Sequence, residues 1–120
     1  MYSVIITDMA EEDILNTVRY IADVLKTATA ANNLLDEIEK HEEILKNTPK
    51  IYPIVPDEYL AQKGLRLTII KNYLMFYTIN EDEKIVTVIR FLYSRRNWKN
   101  ILRQMKSAPL PSAHHEPLLP

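Results

Sequence analysis

The chain contains no cysteine, which excludes a disulfide framework, thiolate ligation of zinc or iron–sulfur clusters, and thiol catalysis. Its single glycine is Gly64, so neither a glycine-rich phosphate loop nor a dinucleotide-binding fingerprint can be built. No apolar run approaches the roughly 20 residues needed to cross a bilayer, so no membrane association is expected. Met1-Tyr2-Ser3-Val4 shows no basic segment leading into an apolar one, and a cytoplasmic location is expected. What remains is 120 residues, 47% hydrophobic and 26% charged. That suits one globular domain, which buries about two-thirds of its unfolded surface without a covalent staple.

The formal net charge of −1 conceals an uneven distribution. Residues 1–60 carry 5 Lys/Arg against 12 Asp/Glu, whereas residues 61–106 carry 10 against 3. Such asymmetry points to a polyanionic or acidic partner for the basic half, or to one acidic and one basic solvated face.

Tyr2 to Thr7 is β-branched and aromatic and predicts a strand. Asp8 stands three residues before Glu11, the spacing of a capping box, and predicts a helix over about Met9–Leu25 with Ile14, Val18, Ile21 and Leu25 as its apolar stripe. A break at Thr27–Thr29 precedes a second helix over about Ala30–Asn47, with Ala31, Leu34, Ile38, His41 and Leu45 as its stripe. The two make a helical hairpin that packs on something flat. Pro49, Pro53 and Pro56 read as a connector over 49–63 without regular helix. Leu65–Ile70, Tyr73–Ile79 and Ile85–Tyr93 read as an antiparallel meander. The last strand is apolar on both faces and therefore central. Asn97 can cap a final helix of roughly ten residues. Residues 107–120 hold four prolines and predict a disordered tail beside a domain over 1–106. The expected fold is α+β, in the order β-α-α-β-β-β-α, with the hairpin on a small, mainly antiparallel sheet.

Chemistry concentrates in Arg90-Phe91-Leu92-Tyr93-Ser94-Arg95-Arg96-Asn97-Trp98-Lys99, at the end of the central strand. Arginine forks suit phosphates and carboxylates, and Tyr93 and Trp98 can stack on bases or anchor a protein. Arg90, Tyr93, Arg95, Arg96, Trp98 and Lys71 are therefore the candidate target-binding residues, and Arg95, Arg96, Tyr93 and Arg66 the candidate catalytic ones. Arg90 could instead pair with an acidic residue of the helices, and Trp98 could be core. Metal-free cleavage of RNA needs a base and an acid besides cations. His41 lies on an apolar stripe, where a packing role is the simpler reading. His114 and His115 lie in the tail. No metal-ligand spacing stands out and no cofactor is expected.

The blocks Tyr2-Ser3-Val4-Ile5-Ile6, Leu34-Leu35-Asp36-Glu37-Ile38, Leu65-Arg66, Asn72-Tyr73-Leu74-Met75-Phe76-Tyr77 and Val88 through Trp98, in this order over about residues 1–104, resemble the RelE/ParE toxins of type II toxin–antitoxin systems. The resemblance implies a toxin neutralised by a cognate antitoxin that wraps around it. One branch of that family resembles ribosome-dependent mRNA endonucleases, another resembles inhibitors of DNA gyrase. In the endonuclease branch an arginine occurs in the strand equivalent to Tyr73–Tyr77, another at the end of the last strand, and a tyrosine or histidine near the C-terminus. Arg95 matches the second, whereas Leu74 and Ile101 stand at the other two positions. These departures favour the non-nuclease reading. A non-toxic nucleic-acid-binding or scaffold domain is the alternative from outside toxin biology.

Overall fold

The computed structural model describes residues 1–105. The tail expected over 107–120, with His114 and His115, lies outside them. Four strands, β1 (Ser3–Ile6), β2 (Arg66–Ile70), β3 (Tyr73–Asn80) and β4 (Ile85–Tyr93), form one sheet in the order β1-β4-β3-β2. β2, β3 and β4 are an antiparallel meander, and β1 joins β4 in parallel. The helices are α1 (Asp8–Arg19), α2 (Ala28–Asn47), α3 (Glu58–Gln62) and α4 (Trp98–Arg103). The fold is the expected α+β arrangement, with β4 inside the sheet and apolar on both sides.

Two cores explain why β4 is apolar on both sides. On one face, Ala10, Ile14 and Ile21 from the first helical segment and Ala31, Leu34, Ile38 and Leu45 from α2 pack on Ile70, Met75, Tyr77, Val86, Val88 and Phe91. On the other, Val55, Leu60 and Leu65 from the connector and Leu102 from α4 pack on Leu74, Phe76, Ile89 and Leu92. The connector is held down by its polar groups as well. Val55 N–H donates to the Leu65 carbonyl and Leu67 N–H to the Pro53 carbonyl, covering part of the outer edge of β2. The buried Tyr77 hydroxyl donates to the Pro49 carbonyl at 2.6 Å. Burial of that phenol raises its pKa, so it stays a donor at physiological pH.

Several boundaries differ from expectation for definable reasons. Thr7, not Asp8, is the N-cap of α1: its hydroxyl accepts from Ala10 N–H and donates to the Ile89 carbonyl, tying the helix start to β4. The first helix does not run regularly to Leu25. Tyr20–Val24 form a π turn, in which Leu25 N–H reaches back five residues to the Tyr20 carbonyl. The wider turn rotates Leu25 off the stripe, and it is 53% exposed while Ile14 and Ile21 are buried. The connector holds the short α3, because Pro49, Pro53 and Pro56 all precede its N-cap Asp57, whose carboxylate accepts from Leu60 N–H. The final helix is shorter than expected, at 6 residues.

The alternation of side chains along β4 is interrupted at one point. Phe76 is opposite Arg90 but Tyr77 is opposite Val88, so Ile89 is an extra residue, a β-bulge. The bulge shifts the phase of the strand: Val88 and Phe91 both enter the hairpin-side core, and Ile89 and Leu92 the other.

His41 shows what a polar residue does on a buried stripe. Its Nδ1 lies 3.0 Å from the Thr68 hydroxyl and 3.3 Å from the Tyr52 hydroxyl, and its ring stacks on Tyr52. It is a packing histidine. Desolvation holds its pKa below the ordinary 6.5, against an opposing pull from Glu37. The folded state therefore binds that proton less readily than the unfolded chain. Its contribution is fully present above about pH 6.5 and falls as pH drops through the depressed folded value. The neighbouring Glu42, whose pKa burial raises, contributes with the opposite sign. Urea unfolding of wild type and His41→Gln from pH 5 to 8 isolates the histidine: wild type should lose stability relative to the variant as pH falls below about 6.5.

Candidate functional site

The end of β4 and the start of β3 meet at one end of the sheet. The register pairs Tyr73 with Tyr93, and Ser94 N–H donates to the Asn72 carbonyl at 2.8 Å. This bond holds the Lys71–Asn72 turn against the loop that carries Arg95 and Arg96. Arg96 N–H donates to the Tyr93 carbonyl, which curls the loop into a turn before Asn97 caps α4. Local chain geometry thus puts Lys71, Arg95 and Arg96 on one exposed rim. Among the described residues, none of the three enters an ion pair, although five other Lys and Arg residues do. Lys71 sits in the left-handed region at φ 57°. Such a conformation usually favours Gly or Asn, so the turn carries some strain to place a lysine there.

An aromatic group lies beside the rim. Tyr73 stacks on Phe91 with centroids 5.2 Å apart, and Tyr93 tilts against Tyr73 at 5.8 Å. Tyr93 is 39% exposed and Tyr20, on the π turn, 52%. Burial, then the neighbouring Tyr93 and Tyr20 phenols, raise the pKa of Tyr73. The sequence reading included Tyr93 but missed Tyr73. Tyr73 could have been found from its pairing with the end of the last strand.

Three sequence candidates fall outside this rim. Arg90 is engaged within the fold. Its guanidinium forms a bidentate pair with Asp13, Nε–Oδ2 2.7 Å and Nη2–Oδ1 3.0 Å, and only 12% of its side chain is exposed. The same carboxylate accepts from Phe91 N–H at 3.0 Å. Asp13 thus binds both the cation and the backbone donor beside the bulge, and locks α1 onto β4. Trp98 is half-buried against Phe76 with centroids 5.2 Å apart, and Lys99 lies over its exposed side. Arg66 lies roughly 15 Å down β2 from Lys71. Its Nη1 donates to the Tyr52 carbonyl at 2.6 Å and towards the Lys50 carbonyl at 3.4 Å. It secures the connector.

On the far side of the sheet end, Arg103 pairs with the buried Asp57, Nη2–Oδ1 2.6 Å, and pins α4 to α3. That hydrogen bond, with the one from Leu60 N–H, holds the Asp57 carboxyl below the usual range. Asp57 is thereby spoken for and offers no general base to the rim. Among the described residues, no group of three His, Asp or Glu is placed to hold a metal ion, and no helix is long and apolar enough to cross a membrane.

The architecture is a helical hairpin crossing one face of a mixed four-stranded sheet. It is shared with the chromosomal ParDE system of P. aeruginosa, whose matching chain is 17% identical with a TM-score of 0.62 and covers 78% of this chain and 96% of its own. The RelBE2 toxin–antitoxin complex of Mycobacterium tuberculosis gives 19% identity, 77% and 96% coverage and a TM-score of 0.49. The archaeal RelE–RelB complex of Pyrococcus horikoshii OT3 gives 13%, 79%, 97% and 0.48. No curated protein matches. A family model described as the ParE toxin of the type II toxin–antitoxin system parDE matches residues 4–98. The chain belongs to this family and is a toxin of a type II toxin–antitoxin system.

Proposed function

We propose that this toxin arrests growth as a cytoplasmic binding inhibitor of DNA gyrase, does not cleave RNA, and is kept inactive by a cognate antitoxin. One observation carries the choice. The positions at which the endonuclease branch resembled by this chain has a strand arginine and a C-terminal tyrosine or histidine are Leu74 and Ile101. Leu74 is buried in the second core at 7% exposure, and the half-buried Ile101 packs against it. The residues that remain at the sheet end are cations and phenols. Arg95 and Arg96 can hold carboxylates or phosphates but cannot take a proton from a 2′-hydroxyl, because arginine stays protonated. His41 is engaged in packing. The antitoxin reading follows from membership of the family. The basic rim offers charge complementarity to an acidic segment of such a partner.

The ribosome-dependent endonuclease is the second reading, favoured by the exposure of Tyr93 beside Arg95. Purified full-length toxin at micromolar concentration separates the two. The expected result is inhibition of gyrase-catalysed DNA supercoiling, with mRNA on translating ribosomes left intact. Cleaved mRNA with unaffected supercoiling would reverse the assignment.

A further inference from the structure

We propose that the arginine loop grips its target at a compact site anchored by Tyr93, and that this site fits a protein surface bearing a small cluster of carboxylates, not a nucleic acid strand. The inference rests on reading the loop around Arg95 as target-facing. It adds the anchoring side chain and the chemistry of the surface that is gripped.

Three rings step outward from the core at this end of the sheet. Phe91 is 1% exposed and belongs to the hairpin-side core. Tyr73 stacks on it with centroids 5.2 Å apart and planes at 17°. Tyr93 follows Phe91 by two positions, so it projects from the same side of β4, and it leans on Tyr73 at 5.8 Å. The exposed phenol thus rests on a platform that the core fixes, and a partner has little side-chain freedom left to freeze. Backbone bonds set the cations around it. Lys71 precedes Tyr73 by two residues, in the turn held by Ser94 N–H on the Asn72 carbonyl at 2.8 Å. Arg96 N–H donates to the Tyr93 carbonyl at 3.0 Å, which ties Arg95 and Arg96 to the anchor.

The fate of the other cations selects the class of partner. Arg90 and Arg103 are paired inside the fold with Asp13 and Asp57, and Arg66 is bonded to the Tyr52 carbonyl. Lys63, Lys84 and Lys99 each lie over a ring of this chain, at 5.2, 5.0 and 5.7 Å from the centroids of Tyr59, Tyr2 and Trp98. Among the described residues of the basic half, Lys71, Arg95 and Arg96 are left with neither an ion pair nor a ring. The positive excess of the sequence therefore comes down to one spot. A single strand of nucleic acid is held by cations that track its backbone along a groove. Three clustered cations suit discrete carboxylates, which arginine forks bind in bidentate geometry. A tyrosine flanked by arginines is the make-up of a protein–protein hot spot.

The test uses the full chain as wild type, Tyr93→Ala, Lys71→Ala, Lys71→Glu and, as an exposed control on β2, Ile69→Ala. Each is checked by thermal melt. Growth arrest is scored on controlled expression, affinity for purified bacterial DNA gyrase by surface plasmon resonance, and affinity for a single-stranded oligouridylate by fluorescence anisotropy. Tyr93→Ala should weaken gyrase binding by about 30-fold or more and relieve arrest. Lys71→Glu should bind at least about tenfold more weakly than Lys71→Ala, because it sets like charges against each other. Ile69→Ala should match wild type, and oligouridylate should not be bound. A Tyr93→Ala variant that arrests growth and binds like wild type overturns the anchor. Equal affinities of the two Lys71 variants overturn the carboxylate surface, and this pair decides alone if Tyr93→Ala lowers the melt. Oligouridylate binding that Tyr93→Ala weakens overturns the choice of a protein partner. If wild type arrests growth without binding gyrase, the gyrase reading falls, and arrest then decides on the site: relief by Tyr93→Ala and Lys71→Glu supports it, and full arrest by both overturns it. A wild type that neither arrests growth nor binds gyrase overturns both.

Discussion

Replacing Asp13 by alanine should destabilise the protein by about 3 kcal/mol, enough to lower the melting temperature by roughly 15 °C. Three hydrogen bonds converge on this carboxylate, two from Arg90 and one from Phe91 N–H, and the two side chains are only 12% and 14% exposed. Truncation leaves a guanidinium and a backbone donor without their acceptor beside a bulge that has already left the regular ladder. The cost is the desolvation of those orphaned groups, and it exceeds the net value of the bonds themselves. A second variant separates these ideas. Asp13→Leu combined with Arg90→Met removes both charges and should recover a large part of the loss. Denaturant unfolding of the single and double variants measures it. A single variant within about 0.5 kcal/mol of wild type would show that the pair does not hold α1 on the sheet.

Arg95→Ala with Arg96→Ala should do the opposite: abolish growth arrest with less than about 0.5 kcal/mol change in stability. Both side chains are exposed, and the turn that carries them is held by backbone bonds, Ser94 N–H to Asn72 and Arg96 N–H to Tyr93, which the substitutions leave in place. Loss of function then cannot come from misfolding. Colony formation under induction, with protein levels equalised, and the unfolding curve of the purified variant check the two halves. Full toxicity of the double variant would remove the arginine loop from the mechanism.

The contrast between these two predictions shows what the sequence could and could not disclose. Arg90, Arg95 and Arg96 are equivalent as letters in one run. What divides them is Asp13 on α1, which takes Arg90 alone into a bidentate pair. A strand apolar on both faces gives no alternation from which a phase shift can be read. The limits of β4, by contrast, were legible, since Ile85 to Tyr93 is a run of β-branched and aromatic residues bounded by turns. α2 was legible from its stripe, whose members Ala31, Leu34, Ile38 and Leu45 are buried. The π turn and α3 were not. The first is a single inserted residue that the amphipathic period tolerates, and the second is five residues after a proline run. Of the site, the grouping of Lys71 with Arg95 and Arg96 followed from the meander, whose short turn returns Tyr73 to Tyr93.

On the proposed reading, this toxin binds its target through the arginine loop and does not cleave RNA. Pulse labelling of DNA and protein synthesis in growing bacteria, in the first minutes after induction of the full chain, tests it most directly. Thymidine incorporation should fall while amino-acid incorporation continues. An immediate fall in amino-acid incorporation, with DNA synthesis still running, would contradict it and turn Tyr93 and Arg95 into the core of a nuclease site.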